Sequence, residues 1–388
     1  MIRKGLSVIL AFLIAMSCFA GCNQNIGKSS NDIDNKMLYS DTLSIETASR
    51  TSNGRLVETE IGYYCCTSDQ LLYADKSDLS KWVLVCNDPK CKHMLATCPA
   101  KVFGGIAIEN GRILSLRNTE DFALEGMSGY GVYSMAPDGT DLQLEYFVEE
   151  SRGVNEGSYI GAFADGQGSF YCGMSIMQTD GTYLNRVVKA TADSSIELAE
   201  TVKKDMSTYV AQRANAMRGD IALRTDIYVP TEEANQHLYR ISSDKLEDIS
   251  RALQSDSLCG SLSGDDLYHH IPGKGYYHTQ ISTGKSQKMM DTQLKDGIGY
   301  HFMGNFVVEH NMTYDHIPDE PQMMIYNGEQ WIEVEIPADF EHTGESVLFP
   351  LALTTEHIFF QSRKAGENCL YVINHADSNP ILTLCGYF

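Results

Sequence analysis

Cys86, Cys91, His93 and Cys98 lie close together in residues 83–100, VLVCNDPKCKHMLATCPA, and no other part of the chain has this density of soft donors. Three thiols and an imidazole can form a closed tetrahedral zinc site, with donors that zinc favours. The run Asn87-Asp88-Pro89 is a turn that would fold them inward. The spacing is not that of a zinc finger, whose first two ligands are usually two residues apart. The same residues fit two other chemistries. One is a disulfide with a spare thiol, which suits an extracellular loop. That is an awkward use of an odd trio with a histidine two residues from its middle member. The other is a set of reduced thiols that simply pack. All three give the loop a structural role. A nucleophilic cysteine would need a base and a group to orient it, and no third group accompanies Cys91 and His93.

Other reactive residues are more scattered. His269, His270, His278, His301, His310 and His316, with Asp315 and Asp319, invite a second metal site. None of the pairs has the helical spacing of a metalloprotease, and histidines dispersed in a β-rich chain are expected at the surface or satisfied in the core. There is no nucleophile-elbow Gly-x-Ser-x-Gly, no phosphate loop and no Rossmann glycine pattern. Among 51 acidic residues no carboxylate pair stands out as a glycosidase dyad. The net charge of −21 repels phosphates, so nucleic acid is excluded as a partner, while cationic ligands and metal ions are tolerated.

The N-terminus indicates where such a chain works. Arg3 and Lys4 precede an apolar run, residues 5–16, that is too short to span a bilayer. Ala20-Gly21-Cys22 follows, and the segment resembles a bacterial lipoprotein signal. Phe19 departs from that pattern, since leucine is usual there. The resemblance implies cleavage after residue 21 and diacylglyceration of Cys22, which anchors the chain to the cell membrane on its outer side. The leader takes away two cations and no acids, so the mature net charge becomes −23. Cys18 and Cys22 also leave the count of eleven cysteines, and the odd nine that remain cannot all pair within the molecule. Residues 22–54 are polar and rich in Ser, Asn, Asp and Thr, which reads as a flexible tether. Within it, residues 42–47 alternate and could add an edge strand.

From residue 55 to 388, short alternating runs recur between turn signals and helical periodicity is scarce. One motif, an apolar residue followed by tyrosine, returns at Leu72-Tyr73, Val132-Tyr133, Leu238-Tyr239, Tyr276-Tyr277, Ile325-Tyr326 and Leu370-Tyr371, with a degenerate copy at Arg186-Val187-Val188. A period near 50 residues is that of a propeller blade. Seven units follow: 55–100, 101–152, 153–203, 204–254, 255–295, 296–341 and 342–388. The second reads most clearly, with strands at 102–108, 112–117, 131–135 and 142–148 and a hairpin turn at Pro137-Asp138-Gly139-Thr140. A four-stranded unit cannot bury both faces of its sheet alone, so the units must stack. The expected fold is an all-β, seven-bladed propeller behind a lipoprotein signal and tether; a β-sandwich with a second β domain is the alternative. Neither a WD40 nor a kelch signature is present.

With its signal, a tyrosine-rich first blade and the motif C-x4-C-x-H-x4-C, the chain resembles uncharacterised propeller-like lipoproteins of anaerobic Gram-positive bacteria. Cys86, Pro89, Cys91, His93 and Cys98 carry that resemblance, which implies a fold and a location but no activity.

Long connections between second and third strands, at 118–128, 229–236 and 311–321, share one face of a propeller with the links between blades. Loops on a rigid ring are where binding sites concentrate. Glu120, Asp121, Glu125, Glu232, Glu233, Tyr314, Asp315, Asp319 and Glu320 would make that face acidic and partly aromatic. The expected function is a surface binding or scaffold module for a cationic peptide, cell-wall or glycan partner. The alternative is a cell-envelope enzyme acting on polysaccharide or peptide, which would need acid, base or metal groups converging in a central pocket.

Overall fold

A computed structural model of the chain describes residues 54–387 apart from internal stretches, the longest being 204–220, 227–235, 250–257 and 341–347. The chain divides into two units, residues 1–39 and 40–388, and the described residues belong to the second. Cys22, the expected leader, the expected tether up to residue 53 and the alternating piece at 42–47 fall outside them.

The described residues form antiparallel sheets in chain order, each a simple meander in which every strand pairs with its sequence neighbours. Sheets 1 to 7 span residues 56–84, 103–148, 159–203, 221–248, 258–290, 299–333 and 349–387. Six have four strands, and the sheet at 221–248 has three described strands. The second sheet has strands at Phe103–Glu109, Arg112–Asn118, Tyr130–Met135 and Gln143–Val148. These lie within a residue or so of the sequence expectation because alternation and turn chemistry agree there. Asp138-Gly139-Thr140 turns the chain between its last two strands, with Gly139 at φ 83° and the Asp138 carboxylate accepting from the Thr140 N–H at 3.0 Å. The matching turn at Asp180-Gly181-Thr182 falls between the second and third strands of its sheet.

In the six four-stranded sheets the recurring apolar–tyrosine motif, and its degenerate copy at Arg186-Val187-Val188, fall in the third strand. There the motif tyrosines Tyr73, Tyr133 and Tyr371 are buried, Tyr277 and Tyr326 are half-buried, and in the fifth sheet the preceding Tyr276 is the buried ring. A tyrosine suits that position because it fills the space between two sheets with a large ring.

Successive sheets pack face to face. One core joins Leu116, Val132 and Val148 of the second sheet to Phe170, Cys172 and Val188 of the third. Others join the fifth to the sixth through Tyr276, Phe302 and Val307, and the sixth to the seventh through Val308, Ile325 and Phe360. The Lys189–Asp244 ion pair, at 2.6 Å, links the third sheet to the fourth. The ring closes where Leu56, Tyr63 and Cys65 of the first sheet meet Leu351, Phe359 and Leu370 of the last. Among the described residues, all four strands of the last sheet come from the C-terminal segment, and the closure they show is made by side chains. A ring of meander sheets closed in this way is a β-propeller.

Candidate metal centre

The cysteine loop leaves the short outer strand Val83–Leu84 of the first sheet and enters the second at Phe103. Main-chain bonds hold both of its ends. The Val85 N–H donates to Leu71 O at 3.0 Å and the Leu71 N–H donates to Ala100 O at 2.7 Å. Between them, the Asp88 carboxylate accepts from the Lys90 N–H at 2.9 Å and Asp88 O accepts from the Cys91 N–H at 3.0 Å. This is the turn that Asn87-Asp88-Pro89 foretells, and it reverses the chain between Cys86 and Cys91. A second reversal follows at His93, whose φ of 55° lies in the left-handed region that a residue with a side chain rarely adopts. Such local strain persists only where the surroundings impose it. Here it turns the ring back, so that His93 Nδ1 lies 3.3 Å from Cys98 Sγ while the His93 N–H points at Cys91 Sγ at 3.4 Å.

The result is a cluster in which one donor atom from each of Cys86, Cys91, His93 and Cys98 lies within 4.8 Å of the others. Cys98 is buried and the other three are partly buried. The three cysteines are free thiols. Tetrahedral zinc with three sulfurs and a nitrogen would hold its donors about 3.3 to 3.8 Å apart, so only a slight contraction separates this arrangement from a closed site. Both the donor set and its placement fit a soft or borderline cation. Burial, with the neighbouring Cys91 thiol, pushes the Cys98 thiol up to about 12, and burial also raises that of Cys86. Clustered thiols resist ionising together unless a cation supplies compensating charge, so metal uptake here would release protons.

Two neighbours hold the loop from the second sheet: Arg117, which the sequence did not single out, and the hairpin turn at 137–140, whose part in the site it did not show. Arg117, only 2% exposed, donates from Nη1 to Cys98 O at 2.8 Å and from Nη2 to Pro99 O at 2.7 Å. Its Nε donates to Ser115 Oγ at 2.9 Å, which fixes the plane of the guanidinium. Burial lowers Arg117 to about 10, leaving it a cation at neutral pH. The hairpin turn lies on the other flank, where a Cβ on Gly139 would meet Val85 O at 2.6 Å. Beside it, Asn87 Nδ2 donates to the Asp138 carboxylate at 3.1 Å. A lone arginine in the apolar run Ile113-Leu114-Ser115-Leu116-Arg117 was the one signal in the sequence that could have pointed to this support.

The other candidates fare differently. Glu120, Asp121, Glu125, Glu232, Glu233, Tyr314 and Asp315 lie outside the described residues. Asp319 and Glu320 are exposed, and Asn311 ties their loop down by donating to Glu320 O at 2.9 Å. Among the late histidines, His269 and His270 are buried in the fifth sheet, and His269 Nε2 lies 2.8 Å from Thr279 Oγ1. His301 and His310 face each other with Nε2 atoms 3.2 Å apart, the spacing of a hydrogen bond between rings, and Gly299 leaves room for the His310 ring. Burial lowers both His269 and His310 to about 4 and keeps them neutral. Cys65 and Cys66 are both buried, as are Cys172, Cys369 and Cys385; the side chain of Cys259 lies outside the described residues.

No protein-family model matches the chain, and no curated protein matches it. Among solved structures it is similar to the β-propeller domain of the Trilobed protease from Pyrococcus furiosus, at 10% identity over 86% of this chain and 95% of that one, with a TM-score of 0.44. It is also similar to an oligogalacturonate lyase in complex with manganese, at 9% identity over 89% of each chain, with a TM-score of 0.48. A third likeness is to the acylaminoacyl peptidase of Pyrococcus horikoshii, at 10% identity, covering 84% of this chain and 50% of that one with a TM-score of 0.38. Likeness at this level carries nothing about chemistry or ligand.

Proposed function

We propose that this protein is a lipid-anchored extracytoplasmic binding or scaffold module, and that Cys86, Cys91, His93 and Cys98 hold a structural zinc ion where its first two sheets meet. The convergence of those four donors carries the reading. Four protein ligands leave no open position for substrate, which is the pattern of a structural and not a catalytic zinc. Zinc supplies no redox chemistry; when bound it joins the chain at four points, and its binding free energy then adds to folding. The lipid anchor is supported by the run from Arg3 to Cys22, and the loop face is supported by the acidic residues of the long connections. That face suits a cationic peptide, cell-wall or glycan partner, engaged mainly through charge.

One preparation tests both halves. Cells grown with a labelled fatty acid should label the wild type and not Cys22→Ala, which should appear in the medium. The purified wild type should carry close to one equivalent of zinc, lost in Cys91→Ser. Thiols that become reactive on adding a strong chelator support the metal. Thiols that stay silent until a reductant is added mean a disulfide, and would overturn it.

A further inference from the structure

We infer that Arg117 is the positioning residue of this metal centre, fixing Cys98 from the neighbouring sheet and supplying the buried positive charge that the loaded site requires. The inference rests on the zinc reading above and adds a residue that belongs to neither the loop nor the first sheet. Two observations carry it. One is the fork: Nη1 and Nη2 hold the consecutive carbonyls of Cys98 and Pro99, so the backbone that aims the Cys98 thiol is set by Arg117 and cannot swing with the loop. Cys98 is the most buried of the four donors and the one His93 Nδ1 touches, so its placement fixes the position of the ion. The other is charge. A divalent ion on three thiolates and a neutral imidazole leaves one negative charge in excess, in a partly desolvated place where charge needs a partner. The guanidinium is itself buried and lies directly behind Cys98.

Arginine suits both tasks, because its planar fork spans two carbonyls and its charge persists when buried. Ser115 locks the fork in plane. Such supporting residues behind metal ligands typically change metal affinity by about 10- to 100-fold when removed. The arrangement also makes the ion a bridge between sheets: ligands come from the connection out of the first sheet, and their support comes from the second strand of the next, Arg112–Asn118. Metal loading should therefore stiffen the contact between the two sheets as well as the loop.

The test uses the full chain as wild type, Arg117→Lys and Arg117→Met, with zinc affinity measured by competition against a chromophoric chelator. Cobalt(II) is substituted as a spectroscopic probe of thiolate ligation. Arg117→Met should bind zinc about 10- to 100-fold more weakly and shift the cobalt absorption bands. Arg117→Lys keeps the charge but cannot hold both carbonyls, and should fall between the two. Should the methionine variant fail to fold, the lysine variant decides. Wild-type affinity and an unchanged cobalt spectrum in a folded Arg117 variant would overturn the role assigned to it. If the wild type itself takes up no zinc or cobalt, the metal reading fails first and takes this inference with it, so the two failures are told apart by the wild-type measurement alone.

Discussion

The first sheet has two seams, and they are built on different principles. Towards the second sheet the chain is continuous, and the connection is a polar loop of turns whose ends are held by main-chain bonds. Between those ends the Arg117 fork and the hairpin at Gly139 brace it around the cluster of soft donors. Towards the last sheet there is no chain continuity at all, and the seam is held by an apolar core around Phe359, Tyr63 and Leu370. Polar contacts reinforce it. The Glu58 carboxylate, 1% exposed, accepts from the Thr355 N–H at 2.9 Å and its hydroxyl at 3.0 Å, and pairs with Lys76 at 2.8 Å. Tyr63 OH meets His357 Nδ1 at 3.1 Å. On the zinc reading proposed above, the continuous connection depends on a conditional ligand, whereas the break between the chain ends depends on burial, which no ligand can withdraw. With zinc in that site, the ring would respond to metal supply at one seam and stay shut at the other.

The largest expected effect follows from the proposed zinc site, at the seam with the second sheet. An ion present at a thousand times its dissociation constant stabilises the folded state by about 4 kcal/mol. Chelation of the purified protein should therefore lower its unfolding temperature by several degrees, and hydrogen exchange should speed up around residues 83–100 and not around Phe359. Equal acceleration at both seams would mean that they are not independent.

Next in size is Glu58→Ala, which removes the buried carboxylate that the Thr355 N–H, the Thr355 hydroxyl and Lys76 share at the closure seam. Losing hydrogen bonds to a charged group costs about 1.5–3 kcal/mol. Urea unfolding should show that loss undiminished in metal-free protein, since the two seams have no side chain in common. A cost that disappears on chelation would tie them together.

The smallest effect concerns acid. Burial, ahead of any neighbouring charge, lowers the pKa of His357, so the folded seam favours the neutral ring. The unfolded chain takes up that proton near the ordinary value of about 6.5. The contribution of His357 is thus complete above that pH and is lost as pH falls from there through its lowered value. In metal-free protein, His357→Gln should flatten the fall in stability with acid over this range. A slope identical to wild type would remove His357 from the closure.

Local chemistry made much of this legible. Alternation and the Asp-Gly-Thr turns placed the strands of the second sheet, and the recurring tyrosines marked third strands, because period-two burial and left-handed turns are local demands that each stretch meets by itself. The cysteine spacing likewise announced a cluster, since four donors so close in sequence need only two reversals to meet. The supports of the site were not legible. Arg117 stands 19 residues beyond Cys98, and its two acceptors are main-chain carbonyls, which look alike in every sequence. Nor could the sequence choose between a shared strand and packed side chains for closing the ring, because Glu58 and Thr355 are 297 residues apart and meet only once all the intervening sheets have stacked. Residue type and spacing determined the strands, the turns and the donor set. Which carbonyls an arginine would hold, and what would face the first sheet across the break, depended on the accumulated rotation of one sheet against the next, a sum of small packing angles that only the tertiary structure contains.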